Sequence, residues 1–236
     1  MKPITPPLGR APVALILAGS LTLASAATAA TTLVVDSFDS VLFAVNTVGP
    51  TTSGLTDMSA DSDIPGIFRE VSIGVLSGTG VALANNLLGT LNYDNGALTR
   101  SFLNFQYVFP AYDISATGAT SFSYVLLTSE PGKHTDYTFT IESPDGMATQ
   151  TGSLPLVAGF ISFNLASLTV TGTPFDDMTR VTFEMRPQVV GTDMVIDSYG
   201  FELPPPSPVP EAGTFAAVGF VAVLAGWSYR RVRRAA

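Results

Sequence analysis

Between residues 31 and 203 apolar side chains recur at every second position in short runs, and helical three-to-four spacing is nearly absent. The plainest run is Asp136 to Glu142, DYTFTIE, where Tyr137, Phe139 and Ile141 fall on one side and Asp136, Thr138, Thr140 and Glu142 on the other. Arg180 to Arg186 repeats it, with Val181, Phe183 and Met185 opposite Arg180, Thr182, Glu184 and Arg186. Side chains of an extended chain point alternately to the two faces of a sheet. Each run therefore predicts a strand with one buried and one wet face, as antiparallel sheets allow.

Further strands are predicted over 33–38, 41–48, 68–76, 81–84, 90–93, 98–108, 122–128, 147–154, 159–164 and 195–203. Asp94-Asn95-Gly96 and Pro144-Asp145-Gly146 supply turn residues between them. Residues 82–88 read alternatively as a short helix. This many strands in one domain predict an all-β, antiparallel two-sheet β-sandwich, jelly-roll-like, with an up-and-down barrel as the second choice. No internal repeat is evident.

Two aspartates interrupt the apolar faces. Asp36 is in phase with Val34 and Phe38, and Asp197 with Val195, Tyr199, Phe201 and Leu203. A carboxylate on a buried face costs free energy unless it is hydrogen-bonded, paired or metal-bound. First and last strands of jelly rolls often lie side by side, so Asp36 and Asp197 are expected either to share a structural calcium ion or to join a buried hydrogen-bond network. The bland alternative is strand-end aspartates reaching water or backbone amides. A second acidic feature, Asp57, Asp61 and Asp63 in DMSADSDIPG, fails the EF-hand pattern: Pro65 takes a ligand position and Ser72 stands where the bidentate Glu belongs. It reads as a solvated loop. Among the aromatic residues Phe102, Phe105, Tyr107, Phe109 and Tyr112, most are expected in the core, the outward ones being left as a carbohydrate platform.

The two ends have a different pattern. Residues 1–30 carry Lys2 and Arg10, an uncharged apolar stretch, and small residues at Ala24-Ser25-Ala26 and Ala27-Thr28-Ala29, which predict a signal peptide cut by signal peptidase. After the domain, residues 204–212 form a Pro-rich linker that favours an extended spacer. Residues 213–229 are uncharged and apolar, with Trp227 and Tyr229 at their end, and predict a single transmembrane helix. The closing residues 230–236 hold Arg230, Arg231, Arg233 and Arg234, a basic tail that the positive-inside rule places in the cytoplasm.

The order Val209-Pro210-Glu211, apolar helix, arginine cluster resembles the PEP-CTERM sorting signal of Gram-negative bacteria. The resemblance covers about the last 28 residues, departing from the family at Ala212, where a second proline is common. It implies that exosortase, a membrane-embedded cysteine protease or transpeptidase, acts near Pro210 and Glu211, with Arg230 to Arg234 as the retention signal. The protein would pass through the inner membrane to the cell surface or the extracellular matrix. The early VVDSFDS and later FREVSIGV give the domain a tone similar to PEP-CTERM ectodomains, some of which look like carbohydrate-binding jelly rolls.

Composition narrows the chemistry. There is no cysteine, so disulfides and thiol chemistry are excluded. Of the 19 acids all but Glu211 fall in residues 31–203, against Arg69, Arg100, Lys133, Arg180 and Arg186. Such an acidic body repels nucleic acid. The single histidine, His134, sits in the turn-like EPGKHTDY and suits neither a catalytic triad nor a zinc site. Gly78-Thr79-Gly80 lacks the third glycine and the helix of a dinucleotide loop, and reads as a turn at a strand edge. The expectation is a non-catalytic surface or exopolysaccharide- and biofilm-matrix-associated protein with carbohydrate as its candidate ligand and no cofactor beyond that calcium. The alternatives are a secreted polysaccharide-acting hydrolase and an unprocessed single-pass membrane protein.

Overall fold

The computed structural model describes residues 31–205 apart from 48, 88 and 129. The predicted signal peptide, most of the linker, the membrane helix, the basic tail and the sorting motif lie outside the described residues. Among the described residues no helix is long and apolar enough to cross a membrane.

Alternation becomes strand almost everywhere it is found. In chain order the strands are β1 (Thr32–Asp36), β2 (Ala44–Thr47), β3 (Thr51–Thr52), β4 (Thr56–Asp57), β5 (Phe68–Gly78), β6 (Ala82–Leu87), β7 (Thr90–Asn95) and β8 (Thr99–Tyr112). They continue as β9 (Ser121–Leu126), β10 (His134–Ser143), β11 (Gly146–Pro155), β12 (Gly159–Asn164), β13 (Thr169–Gly172), β14 (Met178–Pro187) and β15 (Met194–Glu202). The helical alternative for residues 82–88 gives way to a strand, because Ala82, Ala84 and Asn86 are buried while the intervening Leu83 and Asn85 are half-exposed. The sequence reading missed β3, β4 and β13, which are short and largely exposed.

Two antiparallel sheets form a sandwich. The first runs β12-β9-β15-β7-β6-β2, and the second β13-β11-β10-β14-β8-β5-β3, with β4 also on β5. Strand β15 is the pivot of the first sheet: β9 pairs with one of its edges, while β7 and then β1 share the other. The first and last strands are therefore neighbours, and the Leu203 amide donates to the Thr31 carbonyl at 2.8 Å.

Between the sheets lies an aromatic core. Phe183 of β14 is fully buried, with ring centroids 5.4 Å from Tyr124, 5.6 Å from Phe163 and 5.6 Å from Tyr199. Phe122 and Phe139 stack across the layers at 4.5 Å. Tilted and edge-on pairs of this kind add to the hydrophobic gain of burying large rings. Phe105, Tyr107 and Phe109 also point inward, as expected, whereas Phe102 turns outward and lies over Gly74, where a Cβ would meet its ring at 2.5 Å.

The expected meeting of Asp36 and Asp197 does not occur. Pairing of β15 with β9 slips between Ile196 and Tyr199, so Ile196, Tyr199 and Phe201 all reach the core while Asp197 is exposed. One extra residue in a bulge moves a side chain to the opposite face. Asp36 stays inside, but as one half of an ion pair: its Oδ2 accepts from Arg69 Nη1 at 2.7 Å and from the Tyr107 hydroxyl at 2.9 Å, and its Oδ1 from the Phe38 amide at 2.9 Å. A guanidinium occupies the place a cation would take, and both carboxylate oxygens are engaged, so Asp36 and Asp197 do not fit a calcium ion. Burial pushes the Asp36 carboxyl up from its ordinary value, against the attraction of Arg69 and the three hydrogen bonds.

The acidic loop also departs from the solvated reading at one residue. Asp61 is buried and accepts from the amides of Ser40 and Val41, at 2.8 and 2.7 Å, and from the Ser40 hydroxyl. Asp63 accepts from the Val34 amide at 2.8 Å. The loop is a clasp that fastens the segment around Ser40 onto the end of the sandwich. Asp57 remains exposed and is held below the usual carboxylate range by the hydroxyl and amide of Ser59.

Candidate functional site

Strand register on the first sheet lines up its outward side chains into rows. One row follows Leu127, Val195, Asn92, Asn85 and Ala44: the Leu127 amide donates to the Val195 carbonyl, Val195 pairs with Asn92, Asn92 with Asn85, and Asn85 with Ala44. Beside it Phe160 of β12 pairs with Val125 of β9. The row therefore changes character along its length. Its β12–β9 end is apolar, with Phe160 59% and Leu127 48% exposed. Its β7–β6 end is amide and carboxylate. At roughly 4.8 Å per strand, the four steps from β12 to β6 span about 19 Å.

Over the polar end lies a shallow groove of about 640 Å³, lined in part by Leu83, Asn85, Asn92, Asp94, Asp193 and Val195. Its floor is fixed from beneath. Tyr93 is buried, its hydroxyl bonded to Ser101 and to Asn95 Nδ2, and Asn95 Nδ2 reaches the Thr192 carbonyl at 3.0 Å. Burial pushes the Tyr93 phenol up to about 12, although these hydrogen bonds pull the other way. Tyr93 is therefore a neutral donor and acceptor at neutral pH. Asn85 Oδ1 is shielded and has no hydrogen-bond partner, an acceptor left over at the groove.

Two carboxylates stand at one end of the groove. Asp193 accepts from the Asn95 amide at 3.0 Å, and its own amide donates to Glu130 Oε2 at 2.9 Å. Burial raises the Asp193 carboxyl, helped by the negative charges of Asp94 and Glu130 and by a side-chain contact with Asp94. Glu130 is itself neutralised by Lys133 Nζ at 2.7 Å, and Lys133 also donates to the Gly191 carbonyl. No strand of this sheet carries Lys, Arg or His. The exposed cations Arg180 and Arg186 belong to β14 of the other sheet.

The outer face of the second sheet is mixed. A row of Thr149, Thr140, Thr182, Gln106 and Glu70 is polar, exposed Phe68 and Met147 lie on the neighbouring row, and a smaller groove of about 280 Å³ is lined in part by Leu76, Arg100, Asp136 and Arg186. Of the remaining sequence-stated candidates, His134 opens β10 as an exposed residue, and Gly78, with φ of 102°, turns the chain from β5 toward β6. Among the described residues no group of three or more histidines or acids is placed to hold a metal ion. The groove residues were missed in the sequence for two reasons: Asn85 and Asn92 are ordinary outward positions until register puts them side by side, and Asp94 reads as part of a turn, whereas β7 runs on through Asn95.

No family model and no curated protein sequence matches the chain. Solved structures do resemble it. A family 11 carbohydrate-binding module of the cellulosomal cellulase Lic26A-Cel5E of Clostridium thermocellum is 14% identical, with 75% of this chain and 96% of that one covered, at a TM-score of 0.39. A xylan-binding CBM22-1 domain of Paenibacillus barcinonensis Xyn10C is 16% identical over 75% of this chain and 97% of its own, at a TM-score of 0.24. A solution structure of CtCBM11 is 15% identical over 75% and 98%, at a TM-score of 0.42. These are distant likenesses of fold, and the functional argument rests on the side chains of this chain alone.

Proposed function

We propose that this chain is an exported, non-catalytic envelope or matrix protein whose jelly-roll-like sandwich binds a glycan along the outer face of the first sheet. The observation that carries the reading is the gradation along that face, from exposed Phe160 and Leu127 and half-buried Val125 to the amides and carboxylates of the groove. A pyranose has an apolar C–H face and a rim of hydroxyls, and binding sites pair apolar surface with a few placed polar groups. Phe160 is the stacking surface; Asn92, Asn85 and Asp94 are the hydroxyl partners. Phe160→Ala weakens binding to an exopolysaccharide preparation from the producing strain by about tenfold, roughly 1.4 kcal/mol. Its melting temperature stays near that of the unaltered protein, because the side chain is exposed. Unchanged affinity in a titration would remove the reading.

Delivery rests on the ends of the chain. Signal peptidase acts after residues 1–30, and exosortase acts at the sorting motif Val209-Pro210-Glu211, retained until then by the membrane helix and basic tail. The intact mass of protein recovered from envelope and medium tests this. A C-terminus near Pro210–Glu211 supports sorting; a chain running to Ala236 means a permanently anchored membrane protein. A second reading rests on Asp193, whose raised carboxyl beside Asp94 is the acid a polysaccharide hydrolase would use. Release of reducing ends, lost in Asp193→Asn, would establish that reading over simple binding.

A further inference from the structure

We infer that the groove is selective for an amine-bearing glycan, a polymer of amino sugars at least partly free of N-acetyl groups. This rests on the glycan reading above and names the sugar class. The charge pattern is one-sided. Asp94 and Asp193 stand at the groove, and exposed Asp197 lies on the strand next to it. The strands of the sheet offer no Lys, Arg or His. The cation Lys133 is held by Glu130 and by the carbonyl of Gly191, which lies on the connection leading into Asp193. A uronate or sulfated polymer would meet only like charge there. A neutral polymer would leave the two carboxylates to water.

An ammonium on the sugar ring answers both. It donates up to three hydrogen bonds, and Asp94 and Asp193 supply acceptors that the backbone does not exhaust: of the four carboxylate oxygens, only Asp193 Oδ1 has a backbone donor. Burial raises the Asp193 carboxyl first and the negative charges of Asp94 and Glu130 add to it; a cation settling between the acids relieves that added part. Binding is therefore expected to fall with added salt, and to fall on acidification before ordinary carboxylates titrate. Asp193 gives up its charge first, with Asp94 and Glu130 as the charged groups beside it and Lys133 held on Glu130, while the sugar amine, a weaker base than lysine that loses its proton around neutrality, is charged only on the acid side, so binding peaks between the two titrations.

The experiment titrates the protein recovered from its host with three soluble probes: an oligomer of glucosamine, its fully N-acetylated counterpart, and an oligouronate of similar length. The expected result is that the glucosamine oligomer binds about tenfold more tightly than the acetylated one, the worth of two partly exposed ion pairs. The uronate does not bind. Asp94→Asn combined with Asp193→Asn keeps the acceptor for the Asn95 amide and removes the preference, whereas Asp176→Asn with Asp177→Asn, both exposed and elsewhere on the acidic body, retains it. Equal binding of the acetylated oligomer, preference for the uronate, or loss of preference in the distant pair overturns the amine inference and leaves glycan binding standing. Failure of all three probes and of the exopolysaccharide preparation removes both.

Discussion

Asp36→Ala lowers the free energy of unfolding by about 3–5 kcal/mol, the cost of leaving a buried charge without its partner. Arg69 is 1% exposed, with Nη1 on Asp36, Nη2 on the Val41 carbonyl at 2.8 Å, and its guanidinium 4.4 Å from the Phe43 ring centroid. None of these partners other than Asp36 carries a negative charge. Asp36 also holds the Phe38 amide, and Phe38 has a φ of 58°, a left-handed conformation that a bulky residue adopts only when its surroundings enforce it. The raised carboxyl of Asp36 indicates that burying this pair is itself costly. Asp36→Leu combined with Arg69→Met therefore loses much less than either single change. Urea unfolding of the four proteins measures this, and a single variant within 1 kcal/mol of the double (about the median worth of a surface pair) would show that the pair is not buried in solution.

Phe183→Ala costs a similar amount, about 3–5 kcal/mol, by a different route. Its ring touches both layers: Phe139 at 6.4 Å comes from the second sheet, while Phe122, Tyr124, Phe163 and Tyr199 come from the first. Removing it leaves a void whose walls are five rings on rigid strands, which collapse little. Phe183→Leu keeps much of the volume and loses less. The measurement is again denaturant unfolding, and the expected order is wild type, Leu, Ala. If Ala lies within 1 kcal/mol of wild type, below what a lost buried ring typically costs, the two sheets do not meet through this ring.

The layers and nearly all long strands were legible in the sequence because period-two alternation is a direct record of which face is buried. DYTFTIE and the run from Arg180 to Arg186 became the paired strands β10 and β14 in the register their patterns imply. Where the reading failed, the cause was non-local. The bulge at residues 197–198 leaves no mark in the alternation, yet it turns Asp197 outward and separates it from Asp36. Arg69 did carry a signal: in FREVSIGV it is in phase with Val71 and Ile73, as Asp36 is with its apolar neighbours. Two opposite charges, each on an apolar face, point to one another, and only Asp36 was singled out. Phe160 was hidden for the converse reason, since in GFISFN two phenylalanines lie on opposite faces and the pattern alone does not say which is wet. The readings of the two ends fall outside the described residues and rest on order and composition rather than packing.

The pairing of β1 with β15 has a mechanical consequence. A tether attached beyond Leu203, as the proposed sorting would supply, would pull on β15, which lies between β9 on one edge and β7 and β1 on the other. Hydrogen bonds of an antiparallel ladder run across the strands. Tension along β15, resisted by a polymer gripped on the face of the same sheet, would load those bonds together in shear. Pulling Thr31 and Leu203 apart would instead open the β1–β15 ladder from one end, bond after bond. The same module would be strong toward a load carried between its outer face and its C-terminal tether, and weak toward one that separates its two termini.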